Sequence, residues 1–391
     1  MDSPSLGLYV HVPFCESKCG YCTFASGTFQ NVSRSGYVDA VLEETKRDLR
    51  QLKRPVGPVF VGGGTPSMLS PDELGRLLTG LAEACAWPKA SIPEWTVECN
   101  PSSLDAARLA VMAQAGVNRI SIGVQSMVSD ELAWLERDHA PGRAEEAMRL
   151  LTETWGGRWS ADLIYGVPGQ TEESWSHSLK EIMKWKPGHL SLYELTFEEG
   201  SRLTQKRGFG AGMEGEEASR LRLLAEHFLE KQGLMRYEIS NYAKPGMECR
   251  HNTGTWAGED FLGVGSGAHS RLGDLRLWNT GLPDEYMKRM GEGLNPEVGR
   301  EADDSPAARL GTALLLGLRF RDGVGAGRLK LSTGRDAGGL WPSRPSHWEA
   351  YLKFSSGSVS CTRKGWEVLD SLVLELLEKA VLESISKGSE A

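Results

Sequence analysis

Membrane-spanning runs, a secretory leader and an excess of positive charge are all missing from this sequence. No apolar stretch approaches the ~20 residues needed to cross a bilayer. Met1-Asp2-Ser3-Pro4 has neither the basic start nor the apolar run of a cleaved signal peptide, so a cytoplasmic protein is expected. Lysine and arginine number 44 against 52 aspartates and glutamates, a formal charge of −8, which weighs against a nucleic-acid groove as the main surface. Cysteine is sparse and unevenly spread. There are 7 in 391 residues, and Cys15, Cys19 and Cys22 crowd into one short segment. That is the wrong pattern for the disulfide framework of a small secreted domain, and it suits metal binding in a reducing compartment. What the chain does have is 40% hydrophobic and 25% charged residues, enough for a sizeable globular core.

Six short apolar runs, each followed by a turn and a helical pattern, occupy the first half: Leu6–Val12, Val59–Val61, Glu94–Glu98, Arg119–Val124, Trp159–Ile164 and His189–Glu194. Val38, Val41, Leu42, Leu49 and Leu52 form one helical stripe, and Leu74, Leu77, Leu78 and Leu81 another. The second is preceded by Ser70-Pro71-Asp72-Glu73, a capping box with proline at the first helical position. Strands alternating with helices imply a mainly parallel sheet, doubly wound or curled into a barrel, and periodicity does not choose between them. Later, Glu217–Gln232 reads as a helix, Tyr237–Ser270 shows little periodicity, and Pro306–Leu318 and Gly365–Leu382 return to helical spacing. We expect a boundary near residue 285, with residues 286–391 forming a small, mostly helical domain.

Cys15, Cys19 and Cys22 form C-x3-C-x2-C directly after the first expected strand. Soft thiolates select zinc, Cu(I) or iron–sulfur clusters. Structural zinc prefers two ligand pairs, and ordinary [4Fe–4S] clusters take four cysteines, so a lone trio would leave one iron open. On spacing alone a cluster, a zinc ion and plain packing cysteines all remain possible. Gly62-Gly63-Gly64-Thr65-Pro66 follows the second strand, where glycines allow close backbone approach to a ligand or simply make a turn. Glu98, Gln125, Arg137 and Asp162 stand at or beyond the ends of later strands. In parallel barrels, binding residues gather at that end.

The segment Tyr9-Val10-His11-Val12-Pro13-Phe14-Cys15, continued by Cys19-Gly20-Tyr21-Cys22, resembles the opening of the radical S-adenosylmethionine (SAM) proteins related to oxygen-independent coproporphyrinogen III oxidase. The resemblance covers most of residues 6–270 and includes the family's GGGTP motif at Gly62–Pro66. It implies an incomplete (β/α)6 barrel, with the three cysteines holding a [4Fe–4S] cluster whose open iron is chelated by SAM. It further implies that one electron, supplied by a donor, lets the cluster cleave SAM to a 5′-deoxyadenosyl radical. Carried over residue by residue, it implies SAM contacts at Gly63, Gly64, Thr65, Glu98, Gln125, Arg137 and Asp162, with Tyr9 beside them.

The family divides by function. Its oxidases carry a further cysteine two residues after the third, where this chain has Phe24. Phenylalanine there resembles a haem-chaperone branch, whose members bind haem and are thought to deliver it to an acceptor protein, membrane-associated acceptors included. His251-Asn252-Thr253-Gly254-Thr255-Trp256 resembles that branch's H-N-x-x-Y-W motif, which makes His251 the candidate haem ligand. Thr255 departs from the usual tyrosine. The expectation is therefore a haem carrier on a radical-SAM scaffold, and the alternative an enzyme that decarboxylates porphyrinogen propionates.

Overall fold

The computed structural model describes residues 5–87, 92–213 and 215–388. Its main sheet begins with β1 (Leu6–Val12), β2 (Val56–Gly63), β3 (Trp95–Cys99), β4 (Arg119–Gln125), β5 (Arg158–Tyr165) and β6 (His189–Glu194), neighbours in that order and all parallel. Helices cover these strands, so both faces of β1 are buried apart from Tyr9, and the strands read as near-continuous apolar runs. β1 and β6 lie at opposite sides of this six-stranded wall, yet residues following both line one cavity. The wall therefore curls into the incomplete barrel expected.

The connecting helices form where the local chemistry directs them. Pro71–Cys85 starts on the capping box: the Ser70 hydroxyl accepts from the Glu73 amide, and the Glu73 carboxylate accepts from the Ser70 amide. Leu74, Leu77, Leu78 and Leu81 face the barrel. Arg34–Leu52 buries Val38, Val41, Leu42 and Leu49, following its stripe.

Two features depart from the sequence reading. β2 is longer than the three-residue run Val59–Val61, because Gly57-Pro58 stays within the strand. The β1–β2 register shifts between Leu6 and Leu8, and that irregularity accommodates a proline in a central strand. The sheet also continues past six strands. From the aperiodic stretch and its borders come β7 (Met235–Arg236), β8 (Asn241–Ala243), β9 (Phe261–Val264) and β10 (His269–Leu272), joined by β11 (Leu275–Asn279) and β12 (Glu297–Ala302). β9 pairs parallel with β1, while β10 to β12 run antiparallel beyond it and β8 runs antiparallel to β6. Gly263 makes this tight edge possible, since a Cβ there would lie 1.9 Å from the His269 carbonyl oxygen.

A second apolar core, separate from the barrel's, gathers Leu310, Leu314, Leu329, Trp341, Trp348, Val359 and Leu376. It is built from helices Pro306–Gly317, Ala326–Thr333 and Leu369–Gly388 and a hairpin of β13 (Leu352–Ser355) and β14 (Ser358–Cys361). Tyr286 and Met290 pack in the barrel core.

Candidate active site at the carboxyl ends of the strands

After β1 the chain makes a closed loop. The Cys15 amide donates to the Gly27 carbonyl and the Gly27 amide to the Pro13 carbonyl, each at 2.9 Å, and His11 Nε2 meets the Ala25 carbonyl at 3.1 Å. The loop presents Cys15, Cys19 and Cys22, all half-buried, to a cavity of about 420 Å³. Arg137 Nη1 donates to Cys19 Sγ at 3.0 Å, and Cys22 Sγ lies 3.8 Å from Ser26 Oγ. Burial pushes the Cys15 thiol up, and its two cysteine neighbours push it the same way. Such a thiol keeps its proton until a metal displaces it.

The glycine loop packs directly against this segment. Gly63 has φ +108°, and a Cβ there would sit 2.4 Å from the His11 ring; at Gly64 it would meet the Pro13 and Phe14 backbone at 2.7–2.8 Å. Close packing of two loops therefore demands these glycines, a reason distinct from ligand approach. The Thr65 amide donates to the Phe14 carbonyl at 2.8 Å, which ties the glycine loop to the cysteine segment.

Four polar residues face the same cavity. Glu98, on β3, accepts from the Gly63 amide at 3.1 Å. Burial, then the charge of Asp162, push its carboxyl up to about 8. Asp162, on β5, accepts from the Ser121 hydroxyl at 3.1 Å, and burial pushes its carboxyl up to about 6. Gln125 ends β4 at a register break with φ +70°, a strained conformation for a residue with a side chain. Arg137 donates to Gly123 O at 2.9 Å, and its buried Nε has no partner. Two carboxyls held together on one cavity wall favour a cationic or hydroxyl-rich ligand. An amino acid joined to a ribose offers both.

The structure thus brings Cys15, Cys19, Cys22, Gly63, Gly64, Thr65, Glu98, Gln125, Arg137 and Asp162 to one cavity, and leaves Tyr9 and His251 off its wall. Tyr9 donates or accepts at His11 Nδ1 (3.0 Å) and stacks on Phe60 and His251. His251, in the helix Arg250–Ala257, lies in a nest of Tyr9, Phe60 and Phe261, with ring centroids 6.0, 4.9 and 6.0 Å away. Burial pushes its imidazole down to about 4, so it is neutral. The Thr255 hydroxyl donates to the His251 carbonyl at 2.9 Å. Sequence reasoning missed Ser121 and Tyr193, which also line the cavity. The signal for Ser121 was present: a serine recurring among apolar residues of a central strand needs a partner.

At the opposite, amino-terminal end of the strands is a second and larger cleft of about 1160 Å³. Its lining takes in Glu94, Arg119, Arg158 and His189 from the strand starts, and Arg250, Ala257 and Glu259 from in and around the His251 helix.

The Radical SAM superfamily profile matches residues 9–182. Curated relatives include "Heme chaperone HemW" of Bacillus subtilis, 32% identical over 86% of this chain and 89% of that protein. The protein of the same name from Escherichia coli is 36% identical over 78% and 80%. The chain belongs to the HemW family of radical SAM proteins. "Radical S-adenosyl methionine domain-containing protein 1, mitochondrial" of Bos taurus is a further relative, 33% identical over 96% of this chain and 88% of its own length. Among solved structures, coproporphyrinogen III oxidase (HemN) from Escherichia coli superposes with a TM-score of 0.80 over 95% of this chain and 90% of that one, at 21% identity. That likeness establishes the shared fold, including the helical carboxyl-terminal part.

A radical SAM protein implies a [4Fe–4S] cluster and SAM. The thiols present fit that pair better than a zinc ion. Among the described residues, no three His, Cys, Asp or Glu side chains come close enough to hold a single metal ion. The three cysteine thiols instead sit around a cavity whose other wall offers acceptors and an arginine, the donor set for a chelating amino acid. Among the same residues no helix is long and apolar enough to cross a membrane.

Proposed function

We propose that the protein is a haem carrier. In this reading Cys15, Cys19 and Cys22 hold a [4Fe–4S] cluster, SAM completes the open iron, and haem is bound elsewhere on the same chain and passed to an acceptor protein. The observation that carries the cluster half is the convergence of the three thiols with Glu98, Gln125, Arg137 and Asp162 on one cavity. The haem half is supported by the name of the relatives and by Phe24, 65% exposed at the cavity mouth where an oxidase has its further cysteine.

When bound, the cluster supplies one-electron chemistry to SAM. The chain's own residues bind and orient it. Glu98 and Asp162 give acceptors for an ammonium and for ribose hydroxyls, and the Ser121 hydroxyl fixes the rotamer of Asp162. The Gly63–Thr65 loop, pressed onto Pro13 and Phe14, holds the cysteine segment in register with this wall. Tyr193, on β6 and 43% exposed, adds an aromatic face to the cavity. A reducing compartment, an electron donor to the cluster and an acceptor, membrane-bound or soluble, complete the proposal.

For haem, the neutral imidazole of His251 is in the protonation state that binds iron. Its enclosure by three aromatic rings means that ligation requires the Arg250–Ala257 helix to move. The cleft beside this helix exceeds the roughly 300–1,000 Å³ of ordinary small-molecule sites and is large enough for a porphyrin. Anaerobic reconstitution followed by parallel haem titration and coproporphyrinogen turnover tests the reading. We expect a Soret band on haem addition and no protoporphyrinogen. Robust decarboxylation would replace this reading with the oxidase one.

A further inference from the structure

Arg271, on β10 opposite Phe261 of β9, and Arg328, on the helix Ala326–Thr333, belong to elements that flank different cores, yet lie close enough for the charge of one to act on the other. Arg328 Nη1 donates to the Trp256 carbonyl at 3.2 Å, at the end of that helix. The guanidinium lies flat over Gly258, where a Cβ would fall 2.1 Å from Nη2, so the site is shaped around this arginine. Yet Arg328 Nη2 and Arg271 Nε are both buried without a hydrogen-bond partner. Among the described residues neither arginine forms an ion pair.

The acids nearest Arg271 are already taken. Asp260 pairs with Arg54, Asp274 with Arg309 at 3.8 Å, and Asp303 with Arg276 at 3.2 Å. Burial, then the like charge of Arg271, push Arg328 down to about 10. Two unpaired, part-buried cations with orphaned N–H groups are costly unless an anion joins them. Guanidinium groups take carboxylates in particular, through parallel N–H donors.

We propose that Arg271 and Arg328 together bind a carboxylate group, and that this group is a propionate of haem. The second half rests on the haem-carrier reading above. Ala257 and Glu259, on either side of Gly258, line the cleft of about 1160 Å³. A propionate held by the two arginines would leave the porphyrin over that cleft, against the helix that carries His251 and Trp256. Holding the acid edge there also gives the helix a partner for the movement that would expose His251.

The test is a haem titration, followed by absorbance, of the full chain and its R271Q and R328Q variants, repeated with haem dimethyl ester, whose propionates are capped. Each glutamine variant should bind haem about 10-fold more weakly, the loss of one charge-assisted hydrogen bond. The ester should bind the parent and the variants alike, more weakly than haem binds the parent. R328K, which keeps the charge but loses the fork, should recover part of the affinity, and this separates ligand contact from a folding defect. Haem binding to the parent with no loss in either glutamine variant would overturn the carboxylate site and leave the carrier reading intact. Equal affinity of the parent for haem and its ester would do the same. No haem binding by the parent would overturn both.

Discussion

Single residues decide the cofactor site, and three outcomes follow from them. Cys15→Ser, Cys19→Ser or Cys22→Ser should each abolish the visible absorption of the reconstituted cluster. Cys85→Ser and Cys361→Ser should retain it, because burial pushes both thiols up to about 12 and neither lines the cavity. Glu98→Ala or Asp162→Ala removes a charge-assisted bond worth ~1.5–3 kcal/mol, so SAM affinity by equilibrium dialysis should fall about 10- to 100-fold. Glu98 also makes stability depend on pH. Its carboxyl rises from an ordinary 4.5 to about 8 on folding, so the folded protein holds that proton more tightly than the unfolded chain. Its contribution is fully present below pH 4.5 and is lost as pH rises through 8. Thermal unfolding without SAM should therefore show a decline across that window that Glu98→Gln flattens. An unchanged slope would mean that Glu98 ionises freely in the empty cavity.

At the scale of elements, the sequence made the βα units legible because each carries a local signal. Ser70 with Glu73 starts one helix, and strands buried on both faces appear as apolar runs. β9 and β10 were not legible: they are four residues each, with Gly263 inside β9 close against the His269 backbone, and β9 is held by pairing with the distant β1. The candidate cavity was legible for residues inside motifs and opaque for Tyr9 and His251, whose positions follow from how the Arg250–Ala257 helix meets β1 and β2. The glycine loop shows the difference between motif and cause. Gly64→Ala would drive a Cβ into the Pro13 and Phe14 backbone, and backbone cannot rotate aside as a side chain can. Overpacking of this kind costs about 1–3 kcal/mol. We expect a lower unfolding midpoint and poor cluster loading even before SAM is added, whereas a purely ligand-contacting glycine would affect SAM binding alone.

On the scale of the whole molecule, parallel strands separate the two clefts. The cysteine cavity is built on their carboxyl ends and the larger cleft on their amino ends. Strands of five to eight residues span about 16–26 Å at ~3.3 Å per residue. One line of contacts joins the helix beside the larger cleft to the cysteine loop: His251 stacks on Tyr9, Tyr9 OH meets His11 Nδ1 at 3.0 Å, and His11 Nε2 meets Ala25 O in that loop at 3.1 Å. Each such contact is worth about 1 kcal/mol, far less than the ligation of a cluster by three thiolates. Loading at one end should therefore survive loss of the other. Cys15→Ser should bind haem with the parent's affinity, and His251→Ala should reconstitute a cluster with unaltered absorption while its Soret band shifts or disappears. Tyr9→Phe should leave both ligands bound and remove any response of the cluster's electron paramagnetic resonance signal to haem. If Cys15→Ser lost haem as well, the two ligands would share one cavity, and the separation of ends would not describe how this protein works.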